Sequence, residues 1–554
     1  MAQIIKINYT FAQIIFFLYF CSLFYRHKTN PIFMRHIFCF IVVFCALTQS
    51  VIAQTTVTIE DTEKWTNTEL QPYIGKTITF ATPMYVTNNY YSNSNSLTIS
   101  PRRIFTPTNQ AYPMSAEYNQ LITLNNKGTI TLTGVSEYHR IGERMLNLTV
   151  KVNTQNSVSY VSGTWSGNSR KDLEHGYDRE SVNMFGEASI IVCCMNLEYY
   201  LVENLGSGSM GPKTREAHQK QRTKVSKALA KINADLYGFV EIEQGQSALA
   251  EIASDLTKNT GRNFTYIDDG GSASGTYTKA GYVYCSDLLE PYGKLRENNT
   301  GVSNRKKTQA FIEKATGEKF LFSVNHFKAK SGKGTGVNAD KGDGQGSFNG
   351  DRVKEAKSVL DYYHKDCVFF NDSDILIMGD LNAYAMEDPI TTLRNGGMID
   401  LHRAFHADSS YSYVYRGQTG YLDHALCNST LYPQVTGMVA YHINSDESDQ
   451  YTYDESNDTT MFRCSDHDPV IVGLRLESRP PVSINSYDVY YYKSPLVISN
   501  AKDGYYAIYR LDGSVVKKSN IESNEEYIYG LAQGLYIVNI YGQGKCLQTK
   551  LIVR

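Results

Sequence analysis

The chain has 554 residues and a formal charge of −2. That length exceeds what one ordinary hydrophobic core organises, so several domains are expected. The near-neutral charge excludes a globally basic nucleic-acid binder. A polyphosphate partner would have to be met by a local basic surface, because such affinity comes mostly from neutralised phosphates.

The first element is a leader. Met34-Arg35-His36 supplies a short basic segment, Ile37 to Leu47 an apolar one, and Val51-Ile52-Ala53 before Gln54 the small residues of a cleavage position. This is the pattern of a secretory signal peptide, and it marks residues 1–53 as removable. Phe11 to Phe24 is also apolar; translation from Met34 would leave residues 1–33 outside the protein. A membrane anchor is the alternative, but either run is shorter than the roughly 20 residues a span usually needs. Cys21, Cys39 and Cys45 fall in the leader, so an odd number of the ten cysteines remains. With no paired spacing, that argues against a disulfide framework, and no zinc-type spacing is present. Cys193 and Cys194 sit side by side in a strand-like run and should face opposite sides of a sheet.

Residues 55–160 read as a separate β-rich domain. Strand-like runs at 77–80, 96–99, 128–133 and 145–150 are separated by turn residues, with no long helical period. Short strands at this spacing predict a small barrel. A helix is predicted over 213–234, where Val225, Leu229 and Ile232 repeat at helical spacing. Lys213, Lys220, Arg222, Lys224, Lys227 and Lys231 fill much of the rest. They form either a solvated face or part of a track for a phosphate backbone.

Four apolar runs then end in polar residues suited to a metal or a phosphate. Residues 190–195 lead into Asn196, 236–240 into Glu241, 320–325 into His326 and 375–379 into Asp380. Their length and β-branched content predict buried strands. Two later runs are inverted: Asp423-His424 precedes 425–427, and Ser465-Asp466-His467-Asp468 precedes 469–474. If these two strands run antiparallel to the first four, all six polar ends share one rim of one sheet. The rim would carry Glu241, Asp380, Asp423 and Asp466, the imidazoles of His326 and His467, and the carboxamides of Asn196 and Asn382. Polar residues do mark strand ends for bland reasons, but that accounts poorly for six at once.

These strings, from Cys194-Met195-Asn196-Leu197-Glu198 through Asn325-His326-Phe327-Lys328 and Gly379-Asp380-Leu381-Asn382 to Tyr421-Leu422-Asp423-His424 and Ser465-Asp466-His467-Asp468-Pro469-Val470, resemble the endonuclease/exonuclease/phosphatase family. The resemblance spans residues 188–476. It implies a four-layer α/β sandwich: two packed mixed sheets flanked by helices. Within the family the chain is similar to secreted bacterial nucleases, whose Gly-rich insert looks like residues 338–352 here. One departure is Tyr284-Cys285, where an Arg would be expected after the Tyr.

Roles follow from the resemblance. Asn196, Glu241 and Asp466 would hold a magnesium ion, with manganese as a substitute; hard oxygen ligands suit such an ion. Asp380 would orient or deprotonate the attacking water, and Asn382 would hold that water or the phosphate. His326 would donate to a phosphoryl oxygen or the leaving group. His467 would contact the phosphate, with Asp423 holding its ring. The loop 328–350 follows the His326 strand and would hang over the site, with Lys328, Lys330 and Arg352 as phosphate contacts. Asp340 and Asp343 are candidate calcium ligands in that loop. The substrate implied is DNA, with RNA as a second polymer. Sphingomyelin and other small phosphate esters are the alternative on the same fold. A non-catalytic adhesin would be expected to lack a site residue, and none is missing.

Composition changes again after Pro480-Pro481. Residues 482–554 show short strand-like runs and predict an immunoglobulin-like β-sandwich. The Asp512-Gly513 turn, the string 531–536 and the terminal Lys550-Leu551 strand resemble the C-terminal sorting domain of the type IX secretion system. The other reading is a carbohydrate-binding or spacer module. The sorting reading implies the type IX machinery as partner, a Bacteroidetes-type bacterium, and a secreted or surface-attached protein. The domain before the catalytic region resembles an oligonucleotide-binding-like module, or is purely structural.

Overall fold

A computed structural model describes residues 55–89, 95–135, 139–166, 187–207, 210–270, 277–297, 305–454, 456–476, 488–491, 496–499, 501–510, 513–523, 525–532, 534–542 and 545–553. The leader over 1–53, Pro480-Pro481, Asp512 and Gln533 lie outside the described residues.

In the first domain the strand pairings return on themselves. Arg144–Thr154 pairs with Met84–Asn88, which pairs with Ser96–Ser100 and so on to Ile130–Thr133. That strand pairs in parallel with Ser157–Ser166, which pairs back to Arg144–Thr154. Alternating residues of the long strand, Leu148, Val150 and Val152, point inward onto Trp65, Phe80, Ile99 and Leu132. A helix stands in this domain without a helical period in its sequence. Ala116–Lys127 is a helix, with the Ser115 hydroxyl accepting from Tyr118 N at 3.1 Å. Only Tyr118 and Asn125 on it are buried, so it has a cap and good helix formers but little apolar stripe for a periodicity argument to detect.

The central region has two mixed sheets, each of six strands. The first runs in spatial order Phe264–Tyr266, Thr278–Cys285, Leu236–Glu243, Ile190–Tyr200, Val470–Leu474, Val435–Ala440. The second runs Leu289–Glu297, Lys306–Glu313, Lys319–Asn325, Ile375–Asp380, Asp423–Cys427, Ile399–Asp400. The six polar-ended strands are therefore divided, three to each sheet, and not gathered in one. Within each sheet the expected directions hold. Ile190–Tyr200 is parallel to Leu236–Glu243 and antiparallel to Val470–Leu474. Lys319–Asn325 is parallel to Ile375–Asp380, which is antiparallel to Asp423–Cys427.

The sheets pack face to face through Val192, Val240, Phe322, Val324, Met378, Ala425 and Val472. Period-two alternation assigns the faces: Cys194 points into this inter-sheet core and Cys193 out toward the helices. Cys193, Cys194, Cys285, Cys367, Cys427 and Cys464 are free. Helices Arg215–Ile232 and Ser247–Thr260 cover the first sheet, and Asn349–Phe370 and Asp388–Asn395 the second. The sheets approach closely at Gly238, where an added Cβ would lie 2.5 Å from Val324 and 2.8 Å from Phe322. Truncating Phe322 in this core would cost about 3–5 kcal/mol.

At the C-terminal end, two antiparallel sheets share one core. Leu496, Ile498 and Ile528 of the three-stranded sheet meet Tyr506, Ile508, Val538 and Ile540 of the four-stranded one. Among the described residues, no helix is long and apolar enough to cross a membrane.

Candidate active site

Where the two sheets end together, their polar termini converge. Asp380 closes its strand after Gly379, whose φ is +137° and whose missing Cβ leaves room for the Asn325 carbonyl, 1.8 Å from where that atom would be. This tight crossing puts His326 and Asp380 on neighbouring strand ends. Glu241 and Asn382 both hold positive φ, 58° and 48°. Such backbone strain in non-glycine residues persists only where surrounding structure enforces it, and it clusters at functional sites.

Asp380 is the hub. Its Oδ1 accepts from Asn382 N at 2.8 Å, and its Oδ2 accepts from the carboxamides of Asn196 and Asn382, both at 3.2 Å. Asp423 lies directly opposite it in the ladder. Burial, with Asp423 and Asp466 nearby, pushes the Asp380 carboxyl up to about 6, although His467 opposes the shift. Burial and the charges of Asp466 and Asp380 push Glu241 up to about 7.

The two histidines are held in opposite states. Arg305 Nη1 donates to His326 Nδ1 at 2.9 Å. A guanidinium can only donate, so Nδ1 is unprotonated and the ring proton sits on Nε2. That atom lies 3.6 Å from both Glu241 Oε1 and Asp380 Oδ2. Burial and the Arg305 charge keep the His326 pKa well below its ordinary value. His467 is the reverse. Burial would lower it, but Asp423, Asp466 and Asp380 outweigh burial and raise it well above the ordinary range. Its Nδ1 lies 2.7 Å from Asp423 Oδ2, which also accepts from the Ser412 hydroxyl at 2.7 Å. One histidine is thus a neutral donor and the other an imidazolium.

Residues 204–467 match the sequence profile of the Endonuclease/Exonuclease/phosphatase family. The chain carries a domain of this family. None of the curated proteins compared with the chain matches it. Among solved structures, it is similar to a mannosyl-6-phosphatase from Bacteroides thetaiotaomicron, at 15% identity over 52% of this chain and 100% of that one, with a TM-score of 0.36. It is also similar to the human Nocturnin catalytic domain with bound sulfate, at 11% identity over 51% and 93%, with a TM-score of 0.33. A third is D. rerio TDP2 complexed with a single-strand DNA product, at 15% identity over 52% and 99%, with a TM-score of 0.33.

Within the endonuclease/exonuclease/phosphatase domain, the expected metal residues present hard oxygen donors: Glu241, Asp466 and the amide oxygen of Asn196. Asp466 and Asp380 raise the Glu241 carboxyl, and this set of oxygen donors fits a divalent cation. Among the described residues, the group of three acid and imidazole ligands lying closest together is Asp380, Asp423 and His467. It is a hydrogen-bonded pair beside a third carboxylate, since Asp423 Oδ2 is already engaged by His467 and Ser412.

Several sequence expectations need correction. Arg352 is fully buried, and its guanidinium donates to the carbonyls of Lys328, Ser347 and Gln345 at 3.2, 2.9 and 2.7 Å. It ties the Gly-rich insert to its helix and does not face a substrate. Lys330 is paired with Glu387 at 2.5 Å. In the helix Arg215–Ile232, Lys224 is buried on Asp458, and Arg222 is engaged by Asp255 and Glu251. Those two cations are engaged within the chain, whereas Lys227 and Lys231 on the same helix, and Lys213 just before it, are exposed, as a solvated face would have them. Asp340 and Asp343 accept from backbone N–H groups two residues on, closing local turns. Of the insert's expected phosphate contacts, Lys328 stays half-exposed, its ammonium over the Phe348 ring at 4.5 Å from the centroid.

Three residues were missed. Arg305 fixes the tautomer of His326. Tyr413 stacks on His467 with ring centroids 4.5 Å apart and planes at 29°. Glu198, at φ 49°, is raised to about 8 by burial and by Asp466. Arg305 begins a strand-like run and Tyr413 lies in a Tyr-rich turn, so neither has a distinctive local signal.

Proposed function

We propose that the chain is a secreted, divalent-cation-dependent nuclease that hydrolyses phosphodiester bonds of DNA, with RNA as a second substrate. The observation that carries this reading is the opposed pair of histidines facing the buried carboxylates Asp380 and Asp423 and the half-buried Glu241 and Asp466. Asp380, raised toward neutral pH, is suited to accept the proton of an attacking water, which Asn382 and Asn196 help to fix through the same carboxylate. The His467 imidazolium, oriented by Asp423, binds a phosphoryl oxygen as an anion. His326, kept neutral with its proton on Nε2, donates toward the phosphoryl or leaving oxygen. Glu241 and Asp466, with Asn196, would hold magnesium or manganese, which neutralises phosphoryl charge when bound.

The consumed cations of the insert and the helix favour a second reading: a phosphodiesterase or phosphatase acting on a small ester such as sphingomyelin, which needs no extended track. We keep the nuclease first because Lys328, and Arg416 exposed on the hairpin that carries Tyr413, remain available to successive phosphates. The ring of strands over 84–166 supports an oligonucleotide-binding-like module ahead of the catalytic domain. The terminal pair of sheets supports an immunoglobulin-like sorting domain for type IX export from a Bacteroidetes-type cell.

The test is incubation of the purified chain with supercoiled plasmid, linear DNA, RNA, sphingomyelin vesicles and a chromogenic phosphodiester, with magnesium, manganese or excess chelator. Metal-dependent loss of the polymers supports the nuclease. Turnover confined to small esters or sphingomyelin selects the second reading, and full activity in chelator removes the metal assignment.

A further inference from the structure

The Tyr413 hairpin is too small to place itself. It consists of Tyr413–Tyr415 and Gln418–Gly420, three residues a side, and two-stranded pieces of this size have marginal stability alone. Its position is imposed by the N-terminal β domain. Phe105 and Thr419 form a parallel bridge. Thr419 N donates to the Ile104 carbonyl and Thr106 N to the Thr419 carbonyl, both at 2.8 Å. Tyr421 N donates to Asn109 Oδ1 at 3.1 Å. The turn reaches the barrel at Gly417, where φ is +78° and an added Cβ would lie 2.9 Å from the Asn88 Cβ.

The base of the same hairpin carries the contacts of the phosphate-binding pair. Ser412 donates to Asp423 through its hydroxyl and accepts from Asp468 N through its carbonyl at 2.8 Å. The Tyr413 ring covers the His467 imidazole, a stacking that favours a cationic ring. A shift of the hairpin would therefore move Asp423, His467 and Tyr413 together.

We infer that the N-terminal β domain is a working part of the active site: through Ile104, Thr106 and Asn109 it clamps the hairpin that lays Tyr413 on His467, and Tyr413 is a positioning residue for the phosphate contact. This rests on the reading of the site as a phosphoester hydrolase. Asn109 is the lever, because its side chain reaches the hairpin base from the other domain without touching the reacting groups.

The experiment uses the full chain and three variants, Tyr413→Ala, Tyr413→Phe and Asn109→Ala, with kcat and KM on a chromogenic phosphodiester, melting curves, and ring-proton shifts of labelled histidines. Tyr413→Ala should lower kcat about tenfold or more and raise KM, as small misplacements of a phosphate-binding group do, whereas Tyr413→Phe keeps the ring and should stay within about threefold. Asn109→Ala should lower kcat by about threefold to tenfold with little change in KM or melting temperature, and should move the His467 ring protons away from their stacked position. Wild-type kcat and His467 shifts in Asn109→Ala overturn the clamp, as does a Tyr413→Phe loss equal to that of Tyr413→Ala. If the wild-type chain turns over no phosphoester, the functional reading fails, and the ring shifts of Asn109→Ala still decide the clamp. If Tyr413→Ala does not fold, Tyr413→Phe and Asn109→Ala carry the same decision.

Discussion

Two clusters of buried carboxylates sit within the same region of the molecule and behave oppositely. Asp446 and Glu447, at the junction with the N-terminal domain, face Arg103 and Arg140. Burial raises the Asp446 carboxyl, but the two guanidinium groups outweigh it and hold it down at about 2. On the rim, buried Asp380 and half-buried Glu241 face other carboxylates as well as His467, and they rise to about 6 and about 7. The difference lies in the neighbours: in one cluster two guanidinium groups outweigh burial, and in the other burial and neighbouring carboxylates outweigh His467. The first is a joint and the second is a site.

The largest expected effect breaks the second cluster. Asp380→Ala should lower the hydrolysis rate by roughly 10²–10⁴-fold, the scale of a positioned proton-transfer group, with the fold retained by circular dichroism. Retention of more than about a tenth of the rate would remove Asp380 from the chemistry. Glu241→Gln should abolish the response to magnesium in the same assay.

Breaking the joint should act on stability instead. Arg140→Met leaves Glu447 without its 2.8 Å partner in a wholly buried place. It should cost about 3–5 kcal/mol by denaturant titration, because a buried charge stripped of its counterion keeps its desolvation penalty. A cost below about 1 kcal/mol would mean that the joint is solvated in solution.

The pH dependence should separate the two clusters by sign. Asp446 ionises more readily folded than unfolded, so its contribution is present above an ordinary carboxylate pKa of 3.8 and is lost as pH falls toward about 2. Glu241 and Asp380 ionise less readily folded. Their stabilising protonated state is complete below the ordinary values of 4.5 and 3.8 and is lost as pH rises through about 6 to about 7. In excess chelator the melting temperature should therefore rise as pH drops from about 8 to about 5, and magnesium should flatten that slope. The same slope with and without magnesium would contradict metal binding at these carboxylates.

The smallest effect concerns salt. Lys328→Ala should reduce the salt slope of DNA binding by about one unit while leaving turnover of a small phosphodiester nearly unchanged. Lys330→Ala should instead expose a loss of stability, since it removes the ammonium paired with buried Glu387 and leaves it the Thr108 hydroxyl.

Much of the site was legible because its residues end apolar strands. Asn196, Glu241, His326 and Asp380 each follow a mostly apolar run, and such runs are read without knowing the fold. The basic residues were not legible in the same way. Lys224, Lys330 and Arg352 look identical in sequence to a phosphate track, yet the first two meet carboxylates far along the chain and the third turns back onto carbonyls of its own insert. Arg305 and Tyr413 gave no local signal at all. Their roles depend on His326 and His467, 21 and 54 positions further along.

The amino-acid sequence by itself determined the strands of the central region, their polar ends and the chemistry of those ends, because an apolar run and side-chain type are local properties. Only the tertiary structure decided that the ends meet across two sheets, which histidine is charged, which cations are consumed, and that a neighbouring domain holds the Tyr413 hairpin. Those outcomes depend on distances between residues remote in the chain, and an ionisable group takes its state from whatever charge folding brings within a few ångströms of it.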